Sequence, residues 1–287
     1  DLIVRELLDL YMTAMLGQDS WLAPLRIQYR DYAEWQLERL RGEQMEQEKR
    51  YWQELFSDEI PILELPTDQP RPAAQSFRGA VARLVLPADA SKALHDMAQQ
   101  HQVSHFVTCV TVIKILLHRY SGSEDIVVGA PIAGRDHPDL NDQVGFFVNM
   151  LALRDPMTGT DTVTDVVGRV RTTVEGALDR SSYPFDMLVE DLDLDRDMGR
   201  NPLFDVVVSF REAQDAASAI PDLKIEPVTF EPGTSKFDLT FFFGQDEAGS
   251  IGLDVEYSTD LFHADRIHRL LQHLCELIPA MARSPAH

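Results

Sequence analysis

Few side chains in this sequence stand at spacings that could do chemistry. His101 and His105 are four residues apart, the spacing at which two imidazoles on one helix share a metal ion. The glutamate of a metalloprotease site is absent, and Ser104 is placed to start a helix between them. The pair therefore reads as two separate surface histidines. Glu190, Asp191, Asp193, Asp195 and Asp197 form a dense acidic cluster without the spacing or central glycine of a calcium loop. It reads as a solvated helix end and loop, so no metal site is expected. No Gly-x-Ser-x-Gly elbow and no Walker or dinucleotide glycine pattern occurs, and Gly129 to Gly134 fits a loop better than a phosphate cradle. Phe241, Phe242 and Phe243 read as core strand rather than as a stacking platform. What remains is one amide, Asn149, inside the apolar run Val144-Gly-Phe-Phe-Val-Asn-Met-Leu-Ala-Leu-Arg154. Burying an unpaired amide costs about 1–3 kcal/mol. Asn149 either pairs with neighbouring backbone in the core, or lines a channel and meets an amide-bearing substrate. Gly145 leaves room for another backbone or a ligand to approach.

The elements that must hold these residues follow from periodicity. The β-branched and aromatic run from Val144 to Arg154 predicts a buried strand. Leu2, Ile3, Leu7, Leu10, Tyr11 and Ala14 recur at helical spacing and Gly17 stops them. The chain thus starts almost inside a helix, which reads as a truncation. A long amphipathic helical region runs from about Tyr29 to Phe56 with a break near Gly42. Pro61, Pro66, Pro70 and Pro72 mark a stiff, exposed or draped linker. Beyond it the patterns predict strands over Val81–Leu86, Asp125–Ile132, Phe204–Arg211, Leu223–Phe230, Lys236–Gly244 and Ile251–Tyr257. Helices are predicted over Pro87–Gln102, from a Ser104 cap to Tyr120, from a Thr162–Asp165 capping box to Leu178, over Phe185–Leu192 and over Ala264–Ala282. Helices come in sequential pairs. The expected fold is therefore mixed α+β, one sheet with helices mainly on one face, and not a doubly wound nucleotide fold. Residues 1–56 should be helical and lie apart from that sheet.

Composition narrows the function classes. The 287 residues are 44% hydrophobic and 25% charged, enough for one large domain or two lobes. A net charge of −21 repels phosphate backbones and argues against nucleic-acid binding. No apolar run reaches membrane-spanning length and no signal-peptide pattern is present, so a cytoplasmic protein without a membrane partner is expected. Cys109 and Cys275 read as two buried reduced thiols. Docking of an acidic partner would need a local basic or apolar patch.

Six motifs in fixed order carry a resemblance. They are Tyr29-Arg-Asp-Tyr-Ala-Glu-Trp35, with Asp31 inside it; Leu63-Glu-Leu-Pro-Thr-Asp-Gln-Pro-Arg-Pro72; Val144-Gly to Asn149; Arg180-Ser-Ser-Tyr-Pro-Phe-Asp186; Arg196-Asp-Met-Gly-Arg-Asn-Pro-Leu-Phe204; and Ser235-Lys-Phe-Asp-Leu-Thr240. Together the chain resembles the condensation domains of nonribosomal peptide synthetases, over essentially its whole length. It departs at three places: Met150 stands where threonine is usual, and Arg180 and Ser182 replace the histidine and aspartate of a His-Gln-Asp-Tyr-Pro-Phe-Glu motif.

The resemblance implies a chloramphenicol-acetyltransferase-like fold of two lobes around a tunnel. Residues 1–56 would be the helical tail of the N-terminal lobe, 57–79 the proline-rich linker and 80–287 the C-terminal lobe. It implies peptide-bond formation, in secondary metabolite biosynthesis, between two aminoacyl groups held as phosphopantetheine thioesters on carrier proteins. The implied partners are those carrier proteins, the missing N-terminal lobe and an adjacent adenylation domain. The chain would need no cofactor of its own. Gly145, Asn149, Tyr183 and Ser235 are the implied substrate-channel residues. Tyr29, Asp31, Trp35, Arg200 and Asn201 are implied to be structural, Arg200 by pairing with a carboxylate. The family's catalytic signature, His-His-x-x-x-Asp-Gly, is absent: no two histidines are adjacent. No catalytic residue is therefore assigned, and the motif is expected upstream of Asp1, leaving the chain inactive by itself. The alternatives are a noncatalytic carrier-docking module or part of a related epimerisation or heterocyclisation domain.

Overall fold

A computed structural model describes residues 2–194, 197–211, 228, 230–246 and 248–285. Three helices lead: α1 (Leu2–Met15), α2 (Tyr29–Arg39) and α3 (Glu43–Leu55), the last two separated at Gly42, which caps α3. Strand β1 (Gly79–Val85) follows an irregular strap and precedes the helix pair α4 (Ala88–His101) and α5 (His105–Ser121). Gln102 turns the chain through a left-handed conformation, and the Ser104 hydroxyl accepts the Val107 N–H, so the predicted cap is formed. Next come β2 (Asp125–Ile132), β3 (Asn149–Pro156), α6 (Val163–Leu178) and α7 (Phe185–Asp191). The chain closes with β4 (Val206–Arg211), β5 (Leu239–Gln245), β6 (Ile251–Ser258) and α8 (Ala264–Arg283).

The six strands form one mixed sheet in the order β1-β6-β5-β4-β2-β3. β4 runs parallel to β2 and to β5, and the other pairs are antiparallel. Along β6 every second residue, Ile251, Leu253, Val255 and Tyr257, is buried while the intervening ones are not. That alternation marks a sheet covered by helices on one face, as the paired helices require. α5 lies at the centre, with every residue from Val107 to Leu117 buried, Lys114 among them. Its ammonium donates to the carbonyls of Leu153 (2.7 Å) and Ile126 (3.3 Å) and to the Asp155 carboxylate. Asp155 also accepts from the Thr173 hydroxyl, so all five groups are paired. Burial holds the Lys114 pKa below its ordinary value, against the pull of Asp155.

Several expectations need correction. The strand predicted over Val144–Arg154 starts only at Asn149. Asn149 pairs with Ile132, the last residue of β2, and the chain then leaves the sheet through Gly134 at φ +58°. Val144–Val148 therefore has no neighbouring strand, and Phe146 is 78% exposed. Residues 1–56 do not all lie apart from the sheet: Met45, Trp52 and Phe56 belong to the same buried cluster as the strands. The Trp52 indole N–H reaches the Arg180 carbonyl at 3.3 Å. The proline-rich segment is strapped down, with Leu63 buried and the Asp68 N–H bonded to the Leu261 carbonyl at 2.9 Å. His105 is no separate surface group: its Nε2 lies 2.7 Å from His95 Nδ1 and its ring stacks on Phe210. The contact between α4 and α5 brings in His95, ten residues back, instead of His101. Asp191 is not a solvated acid, because Lys49 and Tyr183 both bond it. Cys109 is buried but Cys275 only half so, and both are free. Of the strand predicted over Leu223–Phe230, all but Val228 and Phe230 lies outside the described residues, and those two are exposed without regular structure. Asp195 and Arg196 also lie outside them.

Candidate functional site

The six motifs assemble into two clusters. The first surrounds a cleft of about 240 Å³ between α2, the loop before β3 and the segment leading into α7. Asn149 stands at its base. Its Nδ2 donates to the carbonyls of Ser181 (2.9 Å) and Tyr183 (2.8 Å), and its Oδ1 accepts from the N–H groups of Phe185 (3.0 Å) and Met150 (2.9 Å). Two donors and two lone pairs are all an amide offers. Asn149 is thus half-buried, lines the cleft, and spends its full hydrogen-bonding capacity on backbone. It fixes the 181–185 turn against the start of β3 and leaves no polar atom over for a ligand.

Gly145 is needed for a different reason from the one its position in a strand suggests. A Cβ there would collide with the Tyr29 ring. The Tyr29 hydroxyl donates to the Phe146 carbonyl at 2.9 Å, so α2 grips this loop by ring and hydroxyl together. Phe147 inserts between Tyr29 and Tyr32, at centroid distances of 5.2 and 4.9 Å, with the Arg135 guanidinium 4.2 Å from its centroid. Asp31 sets where α2 begins, accepting the Gln28 N–H at 2.8 Å. Trp35 lines the cleft, half-exposed, with Arg39 over its ring at 5.2 Å. Tyr183 contributes its backbone rather than its ring. The ring is buried and its hydroxyl donates to Asp191; burial, with Asp191 beside it, raises the phenol pKa strongly. Arg180 turns away to lie over Tyr51 at 4.2 Å, while Ser182 lines the cleft.

Ser235 belongs to the second cluster, not to this cleft. It is buried, its hydroxyl donates to the Phe237 carbonyl at 2.7 Å, and it presses on Gly79, where no Cβ would fit. Around it the strap, the loop before β4 and the start of β5 are tied by ions. Arg71 forms a bidentate pair with Asp238 and reaches the Gly199 carbonyl at 3.0 Å. Arg200 bridges Asp205 (2.8 Å) and Glu64 (2.5 Å). Asn201 donates through its side chain to the Lys236 carbonyl (2.9 Å) and through its backbone to Asp205 (3.2 Å). Burial and the nearby Asp238 push the Asp205 carboxyl up to about 6, against the pull of Arg71 and Arg200. This cluster clamps the strap to the sheet. The partners Glu64, Arg71, Asp205 and Asp238 were not singled out from the sequence. Three of them sit inside the quoted motifs and Asp205 adjoins one, which was the available signal.

Among the described residues, no group of three or more histidines, cysteines or carboxylates could hold a metal ion. The cleft offers shape, aromatic walls and backbone positioning.

A family model described as "Condensation domain" matches residues 1–287. The chain is 38% identical over 280 residues to malpinin synthetase of Mortierella alpina, a match covering 98% of this chain and 4% of that protein. It is 39% identical over 272 residues to surfactin synthase subunit 1 of Bacillus subtilis (strain 168), covering 95% of this chain and 8% of that subunit. The chain therefore spans a small part of the curated relatives it matches. Among solved structures, the X-domain from teicoplanin biosynthesis superposes with a TM-score of 0.88 at 26% identity, covering 100% of this chain and 66% of that one. The first condensation domain of the calcium-dependent antibiotic synthetase, in complex with a substrate analogue, shares the fold. Its TM-score is 0.76 at 18% identity, over 100% of this chain and 61% of that one.

Proposed function

The chain belongs to the condensation-domain family and has its chloramphenicol-acetyltransferase-like fold, and from that premise we propose that it forms one wall of a tunnel in which two carrier-tethered aminoacyl thioesters are joined. The observation that carries the reading is the convergence of three separated motifs, around Tyr29, Asn149 and Tyr183, on one cleft. In the proposed reaction the acceptor amine attacks the donor thioester carbonyl. The C–N bond forms, the C–S bond breaks, and the phosphopantetheine thiol leaves. Holding two tethered substrates in attack geometry is worth about 7–11 kcal/mol. The contribution of this chain is that positioning: Asn149 and Tyr29 lock the backbone that shapes the wall.

The general base, worth about 10²–10⁴-fold, is proposed to come from residues outside this chain. None of its nine histidines adjoins another in sequence. Among the described ones, His95 and His105 bond each other, and His118 and His273 are bonded to the Ser123 carbonyl and the Tyr120 hydroxyl. A second lobe would cover exposed apolar side chains such as Ile3, Leu7 and Met15 of α1 and Val144 and Phe146. The carrier proteins and an adenylation domain are the proposed partners, in the cytoplasm; among the described residues no helix is long and apolar enough to cross a membrane.

The test is peptide-bond formation from donor and acceptor aminoacyl carrier proteins. The chain alone should give no product above background, and fusion to an N-terminal lobe carrying the paired histidines should restore turnover. Equal turnover by the chain alone would place the base within these residues and overturn the reading.

A further inference from the structure

We propose that a second cleft, where the end of α5 meets α8, docks an acidic amphipathic segment of a partner protein. The cleft, of about 670 Å³, lies between the end of α5 and the length of α8. Arg266, Arg269, His273 and Leu277 recur along α8 at steps of three or four residues, which puts them on one stripe. Leu116, Arg119 and Tyr120 face them from α5. The lining holds three guanidiniums and an imidazole and no carboxylate.

That composition is out of keeping with the molecule. The chain carries 47 acidic and 26 basic residues, and most of its arginines are engaged by carboxylates or carbonyls. Arg266 is one of these, held by Asp68 at 2.6 Å. Arg119 and Arg269 are exposed, and among the described residues neither has an ion-pair partner or an acceptor for its N–H groups. Arg119 lies in the last turn of α5, where a cation complements the helix dipole, but that accounts for its charge and not for the unpaired Arg269 opposite. The Tyr120 hydroxyl and His273 Nδ1, both from lining residues, lie 2.7 Å apart and tie α5 to α8 across the cleft.

The occupant follows from the two chemistries side by side. Half-buried Leu277 and the Tyr120 ring, set over the buried Leu116, offer a small apolar floor for one aliphatic side chain. Arg119 and Arg269 offer a cationic rim that pairs with carboxylates. On a surface that otherwise repels acidic proteins, this rim is where an acidic segment gains rather than loses electrostatic energy. The cleft shares no lining residue with the one around Asn149, so the inference stands or falls apart from the proposed reaction.

The test uses the full chain and a fluorescein-labelled peptide with leucines at helical spacing and glutamates on the opposite face. Binding is followed by anisotropy at 50 and 300 mM salt. Binding at 50 mM that weakens with salt is expected, together with a loss of about tenfold in Arg119→Gln/Arg269→Gln. Arg119→Lys/Arg269→Lys should retain most of the affinity, and a peptide with lysine for glutamate should not bind. Thermal melts of the variants guard against misfolding, and Arg269→Gln alone, on an exposed helix position, serves if the double variant melts early. Absence of binding at 50 mM salt, or affinity unchanged by the Gln variants, overturns the proposal. Equal binding of leucine-free polyglutamate, or of inorganic polyphosphate, would also overturn it by showing an unselective anion site.

Discussion

Asn149 shows what a single side chain does here. Its amide makes four hydrogen bonds, three of them to a segment more than thirty residues away. Removing it leaves the Ser181 and Tyr183 carbonyls and the Phe185 N–H without that partner. Asn149→Ala should therefore lower stability by about 1–3 kcal/mol, read from urea unfolding. Asn149→Asp should cost more, because it loses both donors and sets a carboxylate against two carbonyls. An unfolding midpoint unchanged in Asn149→Ala would mean that the turn at 181–185 is held by something else. That an amide in an apolar run must find partners was legible from the sequence. Which partners it finds was not, because they come from a turn distant in the chain.

At the level of elements, the strap between α3 and β1 illustrates how the ends of the molecule are joined. Asp68 accepts the His263 N–H at 2.9 Å and the Arg266 side chain at 2.7 Å, tying the strap to the first turn of α8. The Arg266 guanidinium, with the His263 N–H behind it, holds the Asp68 carboxyl at about 2, below its ordinary 3.8. A folded pKa below the unfolded one contributes stability that is present above about pH 4 and is lost as pH falls toward 2. Asp68→Asn should therefore lie furthest below the parent chain near neutrality. The gap should close between pH 4 and pH 2, measured by denaturant unfolding at a series of pH values. A gap independent of pH would show that the pair carries no charge-dependent stability. The prolines predicted a stiff segment, exposed or draped, and its bonds to Leu261, His263 and Arg266 show it draped on the fold. Its ionic anchoring lies in contacts of Asp68, Arg71 and Glu64 that no local pattern announces, since each partner sits well over a hundred residues away.

For the molecule as a whole, the core is organised around a charge. Lys114 and Asp155, both essentially inaccessible, join α5 to β3, and Thr173 extends the contact to α6. Lys114→Ala would leave Asp155 buried beside a cavity, and a loss of about 3–5 kcal/mol is expected. Lys114→Met combined with Asp155→Leu removes both charges and should cost less than Lys114→Ala alone, in the same unfolding assay. A double variant worse than the single one would show that the pair does more than neutralise itself. By itself the sequence determined the types of the elements found among the described residues, the mixed sheet beneath paired helices, the helix caps and the family, because periodicity, capping residues and ordered motifs are local or one-dimensional signals. The tertiary structure decided where the strand after Gly145 begins, since pairing with β2 ends at Asn149, whatever the hydrophobicity of the residues before it. It decided too that Asn149 and Ser235 line different clefts, that His105 pairs with His95, and that two arginines between α5 and α8 have no ion-pair partner among the described residues. Each of these depends on which distant groups the fold brings within a few ångströms, and spacing along the chain carries no information about that.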